Sequence, residues 1–301
     1  MFHDFTYERT LASSLKAAWA IDDVLREDQE LDFSRPMLPD SLARTAGLAM
    51  LDPAGRRLLN QIAAHEYLCM FGLVEEFILP FLFDHARPVL SGDDWRVRAI
   101  INFASEEAKH IQLFKRFHAA FVRGFPVRPQ MIGPADAIGA EVLRHDPLAV
   151  ALVILMIEWM TQGHYLGAIR DDGGIDPLFK SLLRHHWMEE AQHAKIDTLI
   201  VEALAEGRSE AQLDAALDEF FAIGGFLDAG LATQAGFNLD ALEAVTGRPV
   251  ADRDALLQQQ HQAARWTYLG SGMVHPRFVE TIESLSPALA RRVADAAPMF
   301  V

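Results

Sequence analysis

The chain has 301 residues, half of them apolar, with a formal net charge of −15 and one cysteine, Cys69. With no dense Lys/Arg run, that charge excludes sequence-independent nucleic-acid binding, which needs clustered cations facing phosphates. A lone cysteine cannot form an internal disulfide and suits a reducing cytoplasm; no signal peptide is apparent at Met1-Phe2-His3-Asp4, and the apolar run from Pro147 to Ile157 is too short to span a bilayer.

The predicted elements are all helical, with no strand-like alternation. Residues 5–27 show helical periodicity (Leu11, Leu15, Ala18, Ile21, Leu25) and predict a packing helix, followed by a loop with Pro36 and Pro39. From about Pro53 to His85 the apolar content is too continuous for a surface helix, so this one should be central. Pro80 removes one backbone hydrogen bond and crowds the carbonyl of Glu76, which predicts a kink. Ser91-Gly92-Asp93-Asp94 supplies the turn and cap of a helix reaching about Val122, and Gly124 to Gly133, with Pro126 and Pro129, reads as a crossover. Asp146-Pro147 opens the next helix, which Asp171-Asp172-Gly173-Gly174 closes; Asp176-Pro177 opens another that runs to about Glu206. Helices near 209–234, 251–270 and 275–297, interrupted at Gly224-Gly225 and Gly270-Ser271-Gly272, should cover the bundle or shape a pocket. No Pro/Gly/Ser-rich linker intervenes, so one domain over 1–301 is expected, with its bundle core at about 55–205.

Chemistry concentrates in His186-Trp187-Met188-Glu189-Glu190-Ala191-Gln192-His193. Steps of i+4 and i+3 bring His186, Glu190 and His193 onto one helical face, and all three can bind a metal. The string Glu-Glu-Ala-x-His recurs at Glu106 to His110, so Glu107 and His110 form a second Glu-x-x-His pair, offset by 83 residues (189 minus 106). The same offset takes Glu158 to position 75, also a glutamate. Each Glu-x-x-His is thus preceded by a Glu at 32 residues (107 minus 75, 190 minus 158). This is the ligand arrangement of a carboxylate-bridged di-iron or di-manganese site in a four-helix bundle.

Glu158 follows ten apolar residues, Leu148 to Ile157, and Glu75 lies among Leu68, Phe71, Ile78 and Leu79. A buried carboxylate must be paired, protonated or bound to a cation. Two Fe(II) ions would balance the four charges of Glu75, Glu107, Glu158 and Glu190. Mixed carboxylate and imidazole donors suit iron or manganese better than zinc. Glu66 and Glu76 are alternative ligands on the first bundle helix, though the offset favours Glu75. His186 reads as a third imidazole ligand, or else as a surface or supporting histidine. Glu106 and Glu189 read as supporting or surface groups. His65, His118, His164 and His185 lack geometric support, and Phe103, Phe114, Trp159 and Trp187 read as core.

With these residues assembled, the chain resembles the ferritin-like di-iron oxygenases, and most closely the arylamine N-oxygenase family typified by p-aminobenzoate N-oxygenase. The resemblance covers about 55–205. It rests on Glu75-Glu76-Phe77-Ile78 before Pro80, on Glu107 and His110, on Glu158 followed by Arg170-Asp171, and on His-x-x-x-Glu-x-x-His at His186, Glu190 and His193. The extra histidine is its most specific element; the short loop between the second and third ligand helices departs from the family pattern.

The resemblance implies an all-α, ferritin-like bundle holding two Fe ions, with Mn as the other candidate. It further implies O₂ activation and oxidation of an aromatic amine to a nitroso or nitro product, with His186 tuning the reacting iron. Electrons would come from a separate electron-transfer partner, since no flavin or nicotinamide fingerprint is present. A cytoplasmic homodimer is expected, binding neither nucleic acid nor membrane. The alternatives are a di-iron carbon hydroxylase or desaturase, and a ferritin-like iron-handling or peroxide-scavenging protein.

Overall fold

The structure, a computed structural model, describes residues 3–300; Met1 and Phe2, at the start of the segment read as lacking a leader, and Val301 lie outside them. Helix α1 (Tyr7–Ala17) starts at Thr6, whose hydroxyl accepts from the Arg9 amide, and stops at an extended Ala18. A four-residue α2 (Ile21–Val24) follows, so residues 5–27 do not form one helix. The break has a cause in packing. The Trp19 indole donates to the His185 carbonyl at 2.8 Å, and Lys109 Nζ donates to the Trp19 carbonyl at 3.2 Å, so these contacts hold the backbone out of helical register.

After α3 (Asp40–Ala43) comes α4 (Pro53–Ala86), capped by Asp52 and continuous through Pro80. Asp93 caps α5 (Asp94–Gly124). The crossover then holds a short helix absent from the sequence reading, α6 (Ala135–Leu143). Asp146 caps α7 (Pro147–His164), which widens into a π-type turn at Tyr165–Ile169, and Asp176 caps α8 (Pro177–Ala205). Then α9 (Glu210–Thr246) runs unbroken through Gly224 and Gly225, contrary to the interruption expected there. It ends at Gly247, whose φ of 68° closes the helix. A mid-helix glycine costs about 1 kcal/mol relative to alanine, too little to break a helix whose far side is packed. The chain finishes with α10 (Arg253–Arg265), a π-type turn at Trp266–Gly270, α11 (Ser271–Met273), α12 (Pro276–Leu285) and α13 (Pro287–Ala296). No strand occurs among the described residues.

The bundle consists of two hairpins, α4 with α5 and α7 with α8, joined by the crossover through α6 and meeting where α5 touches α8. Short connections make each pair antiparallel neighbours. Helix α1 packs on α5 and α8, and α9 lies against α4 and α7. With its terminal turn, α7 spans Pro147–Ile169 and is long and apolar enough to cross a membrane, although the run read from sequence ends at Ile157; 94% of its most apolar stretch is buried inside the protein. Each buried Leu, Ile or Val contributes about 1.5–3 kcal/mol. Leu148, Leu152, Val153, Ile154 and Leu155 are all essentially inaccessible, enough together to offset the cost of seating an acid on the same helix.

Candidate metal centre

Glu75 on α4, Glu107 and His110 on α5, Glu158 on α7, and His186, Glu190 and His193 on α8 converge inside the bundle, none more than 3% exposed. Two groups of donors could each hold an ion. One is Glu75, His110, His186 and Glu190; the other is Glu107, His110, Glu190 and His193, and within each the donor atoms lie within 4.8 Å of one another. Glu158 completes the cluster beside Glu190 and Glu107.

The close approaches are mutual. His186 Nε2 is 2.9 Å from both Glu75 Oε1 and Glu190 Oε1. His110 Nδ1 is 2.9 Å from Glu190 Oε1 and 3.7 Å from Glu75 Oε1. His193 Nδ1 is 2.8 Å from Glu107 Oε1 and 3.0 Å from Glu190 Oε2. Several of these pairs have the distance of a hydrogen bond but not its direction. Glu75 Oε2, both Glu107 oxygens, Glu158 Oε2, Glu190 Oε1 and His110 Nδ1 are buried without a hydrogen-bond partner. Native proteins rarely leave buried polar atoms so. An ion bound at about 2.0–2.2 Å sets adjacent octahedral ligands roughly 3 Å apart, so this donor set fits a metal centre.

A surrounding layer orients the histidines crosswise. Glu106 on α5 bonds His193 Nε2 of α8 at 3.0 Å, while Glu189 on α8 bonds His110 Nε2 of α5 at 2.7 Å. With a metal bound, each carboxylate would hold the Nε2–H tautomer and leave the Nδ1 lone pair facing the ion. Glu106 accepts from the Ser14 hydroxyl and Glu189 from the Lys109 ammonium, so α1 and α5 brace both. Phe103 stacks on His193 with ring centroids 3.9 Å apart, and Phe71 and Phe114 meet His186 edge-on at 5.3 and 5.0 Å.

Burial, reinforced by the Glu107 charge, pushes Glu75 up to about 8. Burial likewise raises Glu107 and lifts Glu158 well above the carboxylate range, the Glu190 charge adding to both. For His110 and His186 burial acts downward, yet carboxylates win. Glu189 and Glu190 raise His110 to about 10, and Glu190 and Glu75 raise His186 to about 9. These are acids competing for too little positive charge.

The remaining candidates lie elsewhere. Glu76 is at the surface, 3.1 Å from Lys115 Nζ. Glu66 is buried and accepts from the Asn238 amide and the Tyr268 hydroxyl. His164 bridges the Tyr67 and Ser271 hydroxyls at 2.9 Å each, and His185 bonds its own helix at the Ser181 carbonyl. His65 and His118 meet at 2.9 Å, with Cys69 Sγ 3.6 and 3.5 Å from them, in a separate polar cluster; the i+4 step from His65 to Cys69 on α4 was its local signal. Sequence reasoning also missed Asp197. It is 1% exposed, its Oδ2 has no partner, and its position four residues after His193, on the same face, was the available signal.

Beside the cluster is a cavity of about 330 Å³ between α4, α7 and α9. Its walls include Phe71, one turn before Glu75, and Ile157, the neighbour of Glu158.

The family model of p-aminobenzoate N-oxygenase AurF matches residues 7–237. The chain belongs to this family. As an AurF-family member it is an oxidoreductase, and the match runs from α1 through most of α9, leaving α10 to α13 beyond it. Among solved structures, the fold is similar to an R2-like ligand-binding oxidase with aerobically reconstituted Mn/Fe cofactor, at 14% identity and a TM-score of 0.46, covering 88% of this chain and 92% of the other. A point mutant of an R2-like ligand-binding oxidase with anaerobically reconstituted Mn/Fe cofactor matches at 13% identity and a TM-score of 0.49, covering 96% and 93%. Similarity at that level carries no functional information. No curated protein matches the chain.

Proposed function

We propose that this chain is a di-metal oxygenase that N-oxygenates an aromatic amine, with Glu75, Glu107, His110, Glu158, His186, Glu190 and His193 as ligands of two iron ions. Manganese is the alternative metal. The supporting observation is the set of buried donor atoms about 3 Å apart that point at common centres rather than at one another. Oxygen and imidazole donors suit these metals, and the four carboxylates would neutralise two divalent ions. When bound, the ions supply O₂ binding and the redox chemistry of oxygenation.

The first oxidation balances as RNH₂ + O₂ + 2e⁻ + 2H⁺ → RNHOH + H₂O, the two electrons arriving from a separate electron-transfer protein; further rounds lead to nitroso or nitro products. The chain's own residues preorganise the centre. Glu106 and Glu189 fix the imidazoles of His193 and His110. Phe71, Phe103 and Phe114 cover the histidines and exclude bulk water. His186 adds a third imidazole on the Glu75 side. His186→Ala should leave the Glu107–His193 side able to hold metal yet impair oxygen transfer; unchanged turnover would remove that role.

The decisive experiment combines metal analysis of the purified protein with incubation of its reduced form with O₂ and a panel of amines and hydrocarbons. Two irons per chain and N-oxygenated products are expected. Hydroxylated or desaturated carbon would assign the site to the rival oxidation, and one zinc with no product would end the oxygenase reading. We further propose a cytoplasmic homodimer of one-domain chains; light scattering that reports a hollow shell would favour iron handling instead.

A further inference from the structure

We infer that the cavity beside the cluster admits an uncharged, apolar arylamine and rejects amines that carry a carboxylate or an ammonium group. The inference rests on the N-oxygenation reading and adds the substrate class. None of the residues lining the cavity has a formal charge; Met70 and Val74 of α4, Ile157 and Met160 of α7 and Leu231 of α9 are among its apolar walls. Two lining side chains carry hydroxyls, and both are already engaged. The Thr233 hydroxyl donates to the Ala229 carbonyl at 3.1 Å, and Tyr268 is hydrogen-bonded to Glu66.

The ionisable groups around the cavity are likewise committed or outside: Glu66, behind the lining Tyr268, already accepts from Tyr268 and Asn238. Asp228, in the α9 segment flanking the cavity, is bound by His261 at 2.8 Å and Arg265 at 3.0 Å. Lys115 and Arg128 line a different groove, of about 580 Å³, divided from the cavity by Leu73 and Ile132, which line both. A carboxylate in the cavity would therefore lose its hydration without gaining a cation, and an ammonium would lose it without gaining an anion. An arylamine avoids both penalties, because delocalisation of its nitrogen lone pair into the ring leaves it neutral near pH 7.

Size narrows the class further. A dry apolar cavity of about 150 Å³ takes a benzene ring, so about 330 Å³ suits an alkylated or bicyclic arene. Phe71 is the shared wall: it lines the cavity, and its ring meets His186. An occupant thus lies one aromatic ring from the cluster.

The test is calorimetric titration of metal-loaded, oxidised protein, without an electron donor, with 4-ethylaniline and with 4-aminobenzoate. The neutral amine should bind at least about 100-fold tighter, a ratio equivalent to about 2.8 kcal/mol at about 1.4 kcal/mol per tenfold. Ala229→Trp, at an exposed position on the cavity's edge, should weaken 4-ethylaniline at least about tenfold with metal content unchanged. Thr233→Arg should strengthen 4-aminobenzoate by a similar factor. Equal or tighter binding of 4-aminobenzoate to the unsubstituted protein that survives Arg128→Ala, or indifference of 4-ethylaniline to Ala229→Trp, would overturn the assignment; loss of 4-aminobenzoate binding on Arg128→Ala would place that acid in the other groove and uphold the assignment. No turnover occurs in this assay, so selective binding of 4-ethylaniline without N-oxygenation under reducing conditions would uphold the cavity and reject the chemistry.

Discussion

Glu106 and Glu189 occupy equivalent places in the two Glu-Glu-Ala-x-His strings, and each steadies the histidine of the other string. Carboxylates in this position typically contribute 10–100-fold to metal affinity or activity. Glu106→Ala and Glu189→Ala should each lose iron affinity by about that factor, measured by chelator competition, while far-ultraviolet circular dichroism stays unchanged. Glu66 makes a separate prediction, because burial raises it to about 7 from 4.5. An acid raised in the folded state contributes full stability below about 4.5 and loses it as pH climbs to about 7, at roughly 1.4 kcal/mol per unit. Glu66→Gln, which mimics the protonated acid, should therefore match the parent near pH 4.5 and exceed it by up to ~3 kcal/mol at pH 8 in denaturant melts. Much of the cluster was legible in the sequence, because i+3 and i+4 steps share a helical face whatever the tertiary fold. The crosswise contact of Glu106 with His193, 87 positions apart, was not, since no local period records which helix lies opposite.

At the scale of elements, glycines separate open surface from close packing. At Gly224, inside α9, an added methyl meets nothing within 4 Å; at Gly272, in α11, it would come within 2.8 Å of the Met156 carbonyl of α7. Gly224→Ala should stabilise by about 0.5–1 kcal/mol through reduced backbone entropy, whereas Gly272→Ala should cost about 1–3 kcal/mol through overpacking. Thermal melts of the two variants should move in opposite directions. The same physics decides which helix ends could be read ahead. Asp52, Asp93, Asp146 and Asp176 are local caps, and helices start directly after each. The early stop of α1 depends on Trp19 binding a carbonyl on α8, a contact with no trace in the local pattern.

For the whole molecule, two metal ions held by the proposed ligands would link chemistry to stability. A ligand that binds only the folded state stabilises it by about 2.7 kcal/mol at a hundredfold excess over Kd. Removing metal also leaves acids facing one another inside the bundle. Chelation should lower the melting temperature by several degrees, and calorimetry with and without chelator measures it; an unchanged transition would show the cluster to be structurally indifferent to metal.

The exchange of supporting carboxylates between α5 and α8 has a consequence for assembly. Neither hairpin owns a finished histidine: the first supplies the brace for His193 and the second the brace for His110. A chain severed in the crossover at 125–134 should therefore give two fragments that each capture iron poorly and regain tight uptake on mixing, a complementation assay in which the metal reports the reunion.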